Sequence, residues 1–476
     1  MKTLKNYLYN MSYQILIIFT PVFTVPYISR VIGPSGVGVI AYTNSIISYF
    51  VLIANLSLSL YGSRTISYNR DNEIEMYKSF YEIMTLKLIM VCISFLSLII
   101  FIVIVPANTN LLLVQSIQIL AVGVDISWLY IGREDFKNIA IRNISVKLCA
   151  VIMIFLFVKS SKDIYIYALI NSGSVLLGNF FLWKEKIIKK IKEVKALNLK
   201  KHIYPILILV IPQIMTTFFV SMNRIFLGIF SNYQQTGFFD NSDKIIRILL
   251  AFISSVGTVF FPKVSAAYQA GNHQLARDYL RVSFNLVNLI SFPIAFGLFL
   301  VSSDFSNIFF GTSFNGISNV LSVMGFELIF MGWSSIIGQQ YLVAINKLSG
   351  VTVSMAISLL VSVILGILLI PKYGAVGASF VAVMGELIIS VIQLLYLKKF
   401  VKIRYLFSDF WKICISFVIM IICVYAITKL NIENIFLKLF VEIFGGVISY
   451  ACVILALKPD VLKVVRNVIK KNNFKF

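Results

Sequence analysis

The stretch PYISRVIGPSGVG, residues 26–38, closes a long apolar run and contains Arg30. A guanidinium in hydrocarbon costs at least about 2.5–3.5 kcal/mol on insertion scales. Such a charge faces a partner, a wet cavity, or headgroups that a long side chain reaches by snorkelling. Arg64, Lys87, Arg142, Lys147, Arg224, Lys244 and Arg247 raise the same question, as do Asp125, Asp240, Asp243, Glu327, Glu386 and Glu442. Gathered around one cavity, Arg30, Arg64, Arg224, Lys244 and Arg247, with Arg142 and Lys147 nearer one end, would create a positive potential in low dielectric. That suits an anion, above all a phosphate or diphosphate, which arginine grips with parallel hydrogen bonds. It does not suit an organic cation. These seven are the candidate diphosphate ligands.

Each has a plainer reading. Arg30, Lys87, Arg142, Lys147 and Arg224 can snorkel from helix ends, and Arg64 can be a loop-side positive charge. In DNSDKIIR (240–247), Asp240 with Lys244 and Asp243 with Arg247 have the i, i+4 spacing of helix-surface ion pairs. They make either a structural stripe or the wall of a hydrated cavity. Burial disfavours an ionised carboxylate, so Glu327 and Glu386 are either proton carriers or neutral structural groups. With Asp125, Asp240 and Asp243 they are the candidate ion-coupling acids.

The elements that must position these residues are apolar helices. The 476-residue chain is 59% hydrophobic and only 13% charged, where soluble domains are about a quarter charged. The apolar residues come in blocks of roughly 20–25, the length that crosses about 30 Å of hydrocarbon. Fourteen spans are predicted: 8–32, 36–62, 80–105, 111–132, 142–158, 163–183, 204–230, 236–262, 279–303, 317–342, 349–370, 373–397, 409–429 and 435–457. With both termini in the cytoplasm, the inner loops hold most of the Lys and Arg. The outer ones hold Lys159, Lys162, Lys372 and Lys429, as the positive-inside rule requires. The net charge of +22 thereby points to lipid headgroups and topology rather than nucleic acid.

A basic segment, 184–203, divides the chain and carries Ile187, Ile188, Ile191 and Val194 at helical spacing. It reads as an amphipathic linker on the cytoplasmic membrane surface. At an offset near 200, Gly38 meets Gly237, Tyr68 meets Tyr268, Asn72 meets Asn272, and SWLYIG (127–132) meets GWSSIIG (332–338). The expected architecture is an N-lobe, 1–183, and a C-lobe, 204–397, in parallel repeat. Helices 13 and 14 and a basic cytoplasmic tail follow in 398–476. Two repeats flanking a site is a common transporter plan.

No cofactor or metal is expected. The five cysteines lie in apolar runs without paired spacing and read as small buried hydrophobes. His202 and His273 lie in polar connections. An enzyme such as a membrane polymerase would need converging polar groups on a folded external face. The longest outer loop, 303–316, carries the single acid Asp304. A cation-exporting drug antiporter would favour acids in its cavity.

YNMSYQILIIFTPVFTVPYISRVIGPSGVGVIAYTNSI (9–46), YGSRTISYNRD (61–71), SWLYIGREDFKNIAIRNISVKL (127–148), FLFVKSSKDIYIY (155–167) and ISSVGTVFFPKVSAAYQAGN (253–272) resemble Wzx-type polysaccharide flippases. These belong to the multidrug/oligosaccharidyl-lipid/polysaccharide exporter superfamily. The resemblance covers most of residues 1–400. It implies two six-helix lobes, two extra helices and no enzymatic activity. It also implies transfer of an undecaprenyl-diphosphate-linked oligosaccharide repeat unit to the outer leaflet of the bacterial plasma membrane, alongside a polysaccharide polymerase and chain-length proteins. A lipid II flippase of the MurJ type is the closest rival. The family's PY.SR..G..G.G pattern falls on Pro26, Tyr27, Ser29, Arg30, Gly33, Gly36 and Gly38, and its YG.R pattern on Tyr61, Gly62 and Arg64. One position departs. Helix 7 in these proteins often carries an acid before a base, and here Asn223 precedes Arg224.

Overall fold

The computed structural model describes residues 2–183, 197–430 and 432–460, and side chains from residue 13 onward. Most of the predicted linker, 184–196, and the tail beyond 460 lie outside the described residues. Every regular element described is helical, and eleven helices among the described residues are long and apolar enough to cross a membrane. A shorter apolar helix, Ile164–Phe180, joins them. The chain is thus a multi-pass α-helical membrane protein.

Two helices are too long for one crossing. Lys2–Asn55 has 54 residues and Leu348–Leu397 has 50, about 75–80 Å of helix. Each breaks at a glycine in the left-handed half of the map: Gly33 at φ 75° and Gly374 at φ 54°. A residue with a Cβ rarely adopts that conformation. The contacts show that both chains turn back there. Ser358 Oγ donates to Gly385 O at 2.7 Å, Gln393 Nε2 donates to Ser354 Oγ at 3.2 Å, and the hydroxyls of Ser349 and Tyr396 meet at 2.9 Å. Those pairs straddle residue 373, as in a hairpin.

Around Gly33 the turn is marked by the neighbours of each arm. Tyr27 donates to Val158 O at 2.7 Å at the end of helix Phe136–Phe157. Beyond the break, Gln118 Nε2 bridges Asn44 Oδ1 at 2.9 Å and Ser172 Oγ at 3.3 Å. A Cβ on Gly36 would lie 3.2 Å from Ile164. The second arm therefore runs alongside Ile164–Phe180, which doubles back on Phe136–Phe157 so closely that a Cβ on Gly178 would strike Val146. Pro21 and Pro26 lie inside the first arm, and Pro205 and Pro212 inside Lys200–Phe230. Each removes one backbone hydrogen bond from its helix.

The chain forms two compact units, Met1–Gly237 and Phe238–Phe476. In the first, Trp128 is wholly buried and stacks on Phe80 at 5.2 Å, within a core that includes Ile66, Ile83 and Leu182. In the second, Trp333 packs against Phe284 at 5.6 Å, and Phe417 from helix Phe410–Thr428 stacks on Phe292 and Phe296. Two asparagines 200 residues apart have matching duties. Asn72 caps helix Glu73–Ile104 by accepting from Glu75 N, and Asn272 caps His273–Phe310 by accepting from Leu275 N. Such caps satisfy amide groups that the first turn leaves without partners.

The structure differs from the sequence reading at three cysteines, a lysine and a histidine. Cys92, Cys149 and Cys452 are exposed on apolar helices rather than buried, because the medium they face is itself apolar. Lys87 does not snorkel; it is wholly buried and donates to Asp125 O at 2.8 Å. His202 belongs to no polar connection but is 1% exposed within a helix.

Gly38 and Gly237 lie against each other's helices. A Cβ on Gly38 would sit 1.6 Å from Tyr233 O, and one on Gly237 would sit 2.1 Å from Pro34 O. Only glycine permits that backbone approach. Gly38→Val is therefore expected to cost at least the 1–3 kcal/mol typical of overpacking. Its melting temperature in detergent should fall by several degrees, whereas an unchanged melt would contradict the contact.

Candidate functional site

The first unit carries five of the seven proposed cations. Arg64 lies on helix Leu58–Tyr68 and is exposed. Its Nε donates to Tyr68 Oη at 2.9 Å, and its guanidinium lies 5.5 Å from that ring's centre. Both residues line a pocket of about 410 Å³ with Tyr61, Thr65, Asn69, Pro205, Ile208 and Leu209. One wall is cationic and hydroxylic, and the other is aliphatic. A phosphate could take the remaining guanidinium donors and the Tyr68 hydroxyl proton. An attached hydrocarbon would meet Pro205, Ile208 and Leu209.

Arg30 is exposed one turn before the Gly33 break. Arg224 is half-buried and donates to Val220 O at 2.7 Å. Asn223 beside it is buried, and its Oδ1 has no hydrogen-bond partner. Arg142 donates to Asn179 Oδ1, and Asn179 donates in turn to Ala121 O at 2.7 Å. Lys147 is half-buried on the same helix as Arg142. Asp125 spends its carboxylate locally: Oδ1 accepts from Ser127 N at 2.9 Å at the start of Ser127–Gly132.

The second unit carries the helix Tyr233–Gln269 stripe and its acids. Asp240 pairs with Lys244 at 2.7 Å and Asp243 with Arg247 at 3.1 Å, as the i, i+4 spacing predicts. The acids are nearly buried, while Lys244 is 35% and Arg247 40% exposed. The cations therefore lean outward from a neutralising base, and any anion they bind competes with two carboxylates. Glu327 is buried in the first turn of Glu327–Ser334, where the helix dipole favours an acid. Glu386 is buried and accepts from Ser334 Oγ at 3.3 Å.

One network was invisible in the sequence. Glu82 is completely buried, and Oε2 meets Lys201 Nζ at 2.7 Å and His202 Nε2 at 2.9 Å. Its Oε1 accepts from Asn198 N at 2.8 Å. The other ring nitrogen of His202, Nδ1, lies 2.8 Å from Tyr61 Oη. The network therefore ends on a wall of the Arg64 pocket and holds Tyr61 in place. The available signal was an acid just inside a predicted span, since a carboxylate there requires a cation. Partner choice depends on residues some 120 positions away.

Residues 3–268 match the family described as "Polysaccharide biosynthesis protein", more than half of the chain. The chain belongs to that family. The resemblance read from the motifs is thereby borne out. The probable low-salt glycan biosynthesis flippase Agl15 of Haloferax volcanii is 26% identical over 253 residues, 53% of each chain. The match thus spans about half the length of that relative. An Escherichia coli (strain K12) protein, named as a candidate O-antigen transporter, is 20% identical over 390 residues, 79% of this chain and 92% of its own. Among solved structures, the lipid II flippase MurJ in an inward closed conformation superposes with a TM-score of 0.73 at 20% identity, covering 94% of this chain and 98% of its own. At that identity the likeness speaks for the fold alone.

Proposed function

We propose that this protein moves an oligosaccharide linked to undecaprenyl diphosphate from the cytoplasmic to the outer leaflet of a bacterial plasma membrane, for capsule, O-antigen or exopolysaccharide synthesis. The observation that carries this reading is the Arg64 pocket. It sets a cation and a tyrosine hydroxyl against an aliphatic wall on membrane-length helices. A diphosphate on a lipid has the complementary chemistry. The family, and relatives named for glycan and O-antigen transport, support the same cargo class.

In this reading the two broken helices each count as two crossings, and the short helix Ile164–Phe180 as one more, giving fourteen. The lobes are 1–183 and 204–397, helices 13 and 14 follow, and both termini are cytoplasmic. Alternating access comes from rocking of the lobes, with the prolines in helices 1 and 7 lowering the cost of bending. Arg30, Arg64 and Arg224 attract the diphosphate, helped by Lys244, Arg247, Arg142 and Lys147. Asp125, Asp240, Asp243, Glu327 and Glu386 are the acids available for ion coupling, and the position before Arg224 supplies none. A polymerase and chain-length proteins receive the product.

Reconstituted vesicles test this. Arg30→Ala and Arg224→Ala should each slow transbilayer movement of the lipid-linked oligosaccharide at least tenfold; unchanged rates in both would remove these residues from the mechanism. A second reading, a lipid II carrier, draws on the MurJ-like fold. Faster movement of lipid II than of a non-peptidoglycan repeat unit in the same vesicles would favour it.

A further inference from the structure

Beyond these cations, one buried acid has no role so far. Glu442 lies two turns into helix Ile435–Leu457 and is completely buried. Among the described residues no donor group reaches either of its oxygens, and the group beside it is the Asp304 carboxyl, which can share a hydrogen bond with it only when one of the two is protonated. Lys438, one turn earlier, approaches Glu442 Oε1 only to 3.8 Å and is instead committed to Asp304 Oδ2 at 2.8 Å. Asp304 comes from the far end of helix His273–Phe310.

The charge count is decisive. Lys438 already neutralises Asp304, so an ionised Glu442 would leave a net negative charge in an apolar interior with no hydrogen bond to spread it. Such a charge costs several kcal/mol, and the group takes a proton instead. We infer that Glu442, with Asp304 and Lys438, forms a proton-binding site opening to the face that the proposed topology places outside. Asp304 and Lys438 are 19% and 23% exposed, so they connect the buried carboxyl to solvent.

The site has two states. With Glu442 protonated, Lys438 stays on Asp304. When the proton leaves for solvent through Asp304, the lysine turns toward the Glu442 carboxylate on its own helix. Proton occupancy then decides whether Lys438 ties His273–Phe310 to Ile435–Leu457. No other charged group faces the carboxyl among the described residues. The third helix packed there, Phe410–Thr428, carries Lys412 near its opposite end, paired with Asp409. Lys429 lies just past that helix, over the Tyr425 ring.

Infrared difference spectra of the full-length protein in lipid vesicles, taken across a pH titration, test the site without reference to transport. The carbonyl band of a protonated carboxylic acid should disappear in Glu442→Gln. In Asp304→Asn, where Lys438 is free to serve Glu442, it should titrate at lower pH. A band unchanged in Glu442→Gln, or one that never titrates, would overturn the proposal. Coupling to flipping rests on the transport reading and has its own arm. One coupled proton shifts the accumulation ratio about tenfold per unit of imposed pH gradient. Glu442→Gln should flatten that response, and an unaltered response overturns the coupling. Absence of wild-type flipping with the infrared band intact would count against the flippase reading, not against the proton site.

Discussion

Arg64→Ala is expected to slow flipping of an undecaprenyl-diphosphate-linked oligosaccharide by about 10- to 100-fold. Hydrogen bonds to a charged group contribute about 1.5–3 kcal/mol, and each 1.36 kcal/mol is tenfold in rate. The loss should be specific to transport. Arg64 is exposed, and both its hydrogen bond and its ring contact go to Tyr68, a neighbour on the same helix, so folding should change by no more than about 0.5 kcal/mol. Arg64→Lys should recover only part of the rate, because an ammonium keeps the charge but lacks the planar fork. Tyr68→Phe should act in the same direction and more weakly, since it removes the hydroxyl and keeps the ring. Vesicle flux at matched protein density reads all three. A wild-type rate in Arg64→Ala would detach the pocket from the cargo.

Glu82→Ala has the opposite signature, with a collapse of stability ahead of any change in chemistry. It strips Lys201, His202 and Asn198 N of their shared acceptor. Removing one member of a buried pair typically costs about 3–5 kcal/mol, a large share of a marginal total. The expected result is a strongly lowered melting temperature and poor recovery from the membrane. Glu82→Gln retains an acceptor oxygen and should lose less. Because His202 also holds Tyr61, surviving Glu82→Gln protein should bind cargo more weakly than wild type. A melting temperature within a degree or two of wild type for Glu82→Ala would contradict the network.

Much of this architecture is legible in the sequence. Apolar blocks of membrane length were enough to fix the class, because hydrocarbon thickness leaves few alternatives. The i, i+4 spacing in 240–247 predicted both ion pairs, since helix geometry alone places those side chains together. Gly33 and Gly38 stood out in one short motif, and the structure gives each a separate reason: a left-handed turn at one and backbone contact at the other. Tertiary choices were not readable. Lys87 looked like a snorkelling lysine because its distance from a helix end is local information. Its real partner, the Asp125 carbonyl, sits 38 residues on. His202 looked loop-borne because two lysines precede it. The buried carboxylate that holds it comes from another helix. Nothing in the local sequence shows that the Asp125 carboxylate accepts from the amide of Ser127.

The most direct test of the central claim compares two cargoes in vesicles containing the wild-type protein. One is an oligosaccharide on undecaprenyl diphosphate, and the other is the same oligosaccharide on a lipid of equal length without the diphosphate. The cationic account predicts rapid movement of the first and a rate near that of protein-free vesicles for the second. Equal rates for the two cargoes, or no acceleration of the diphosphate form, would contradict it.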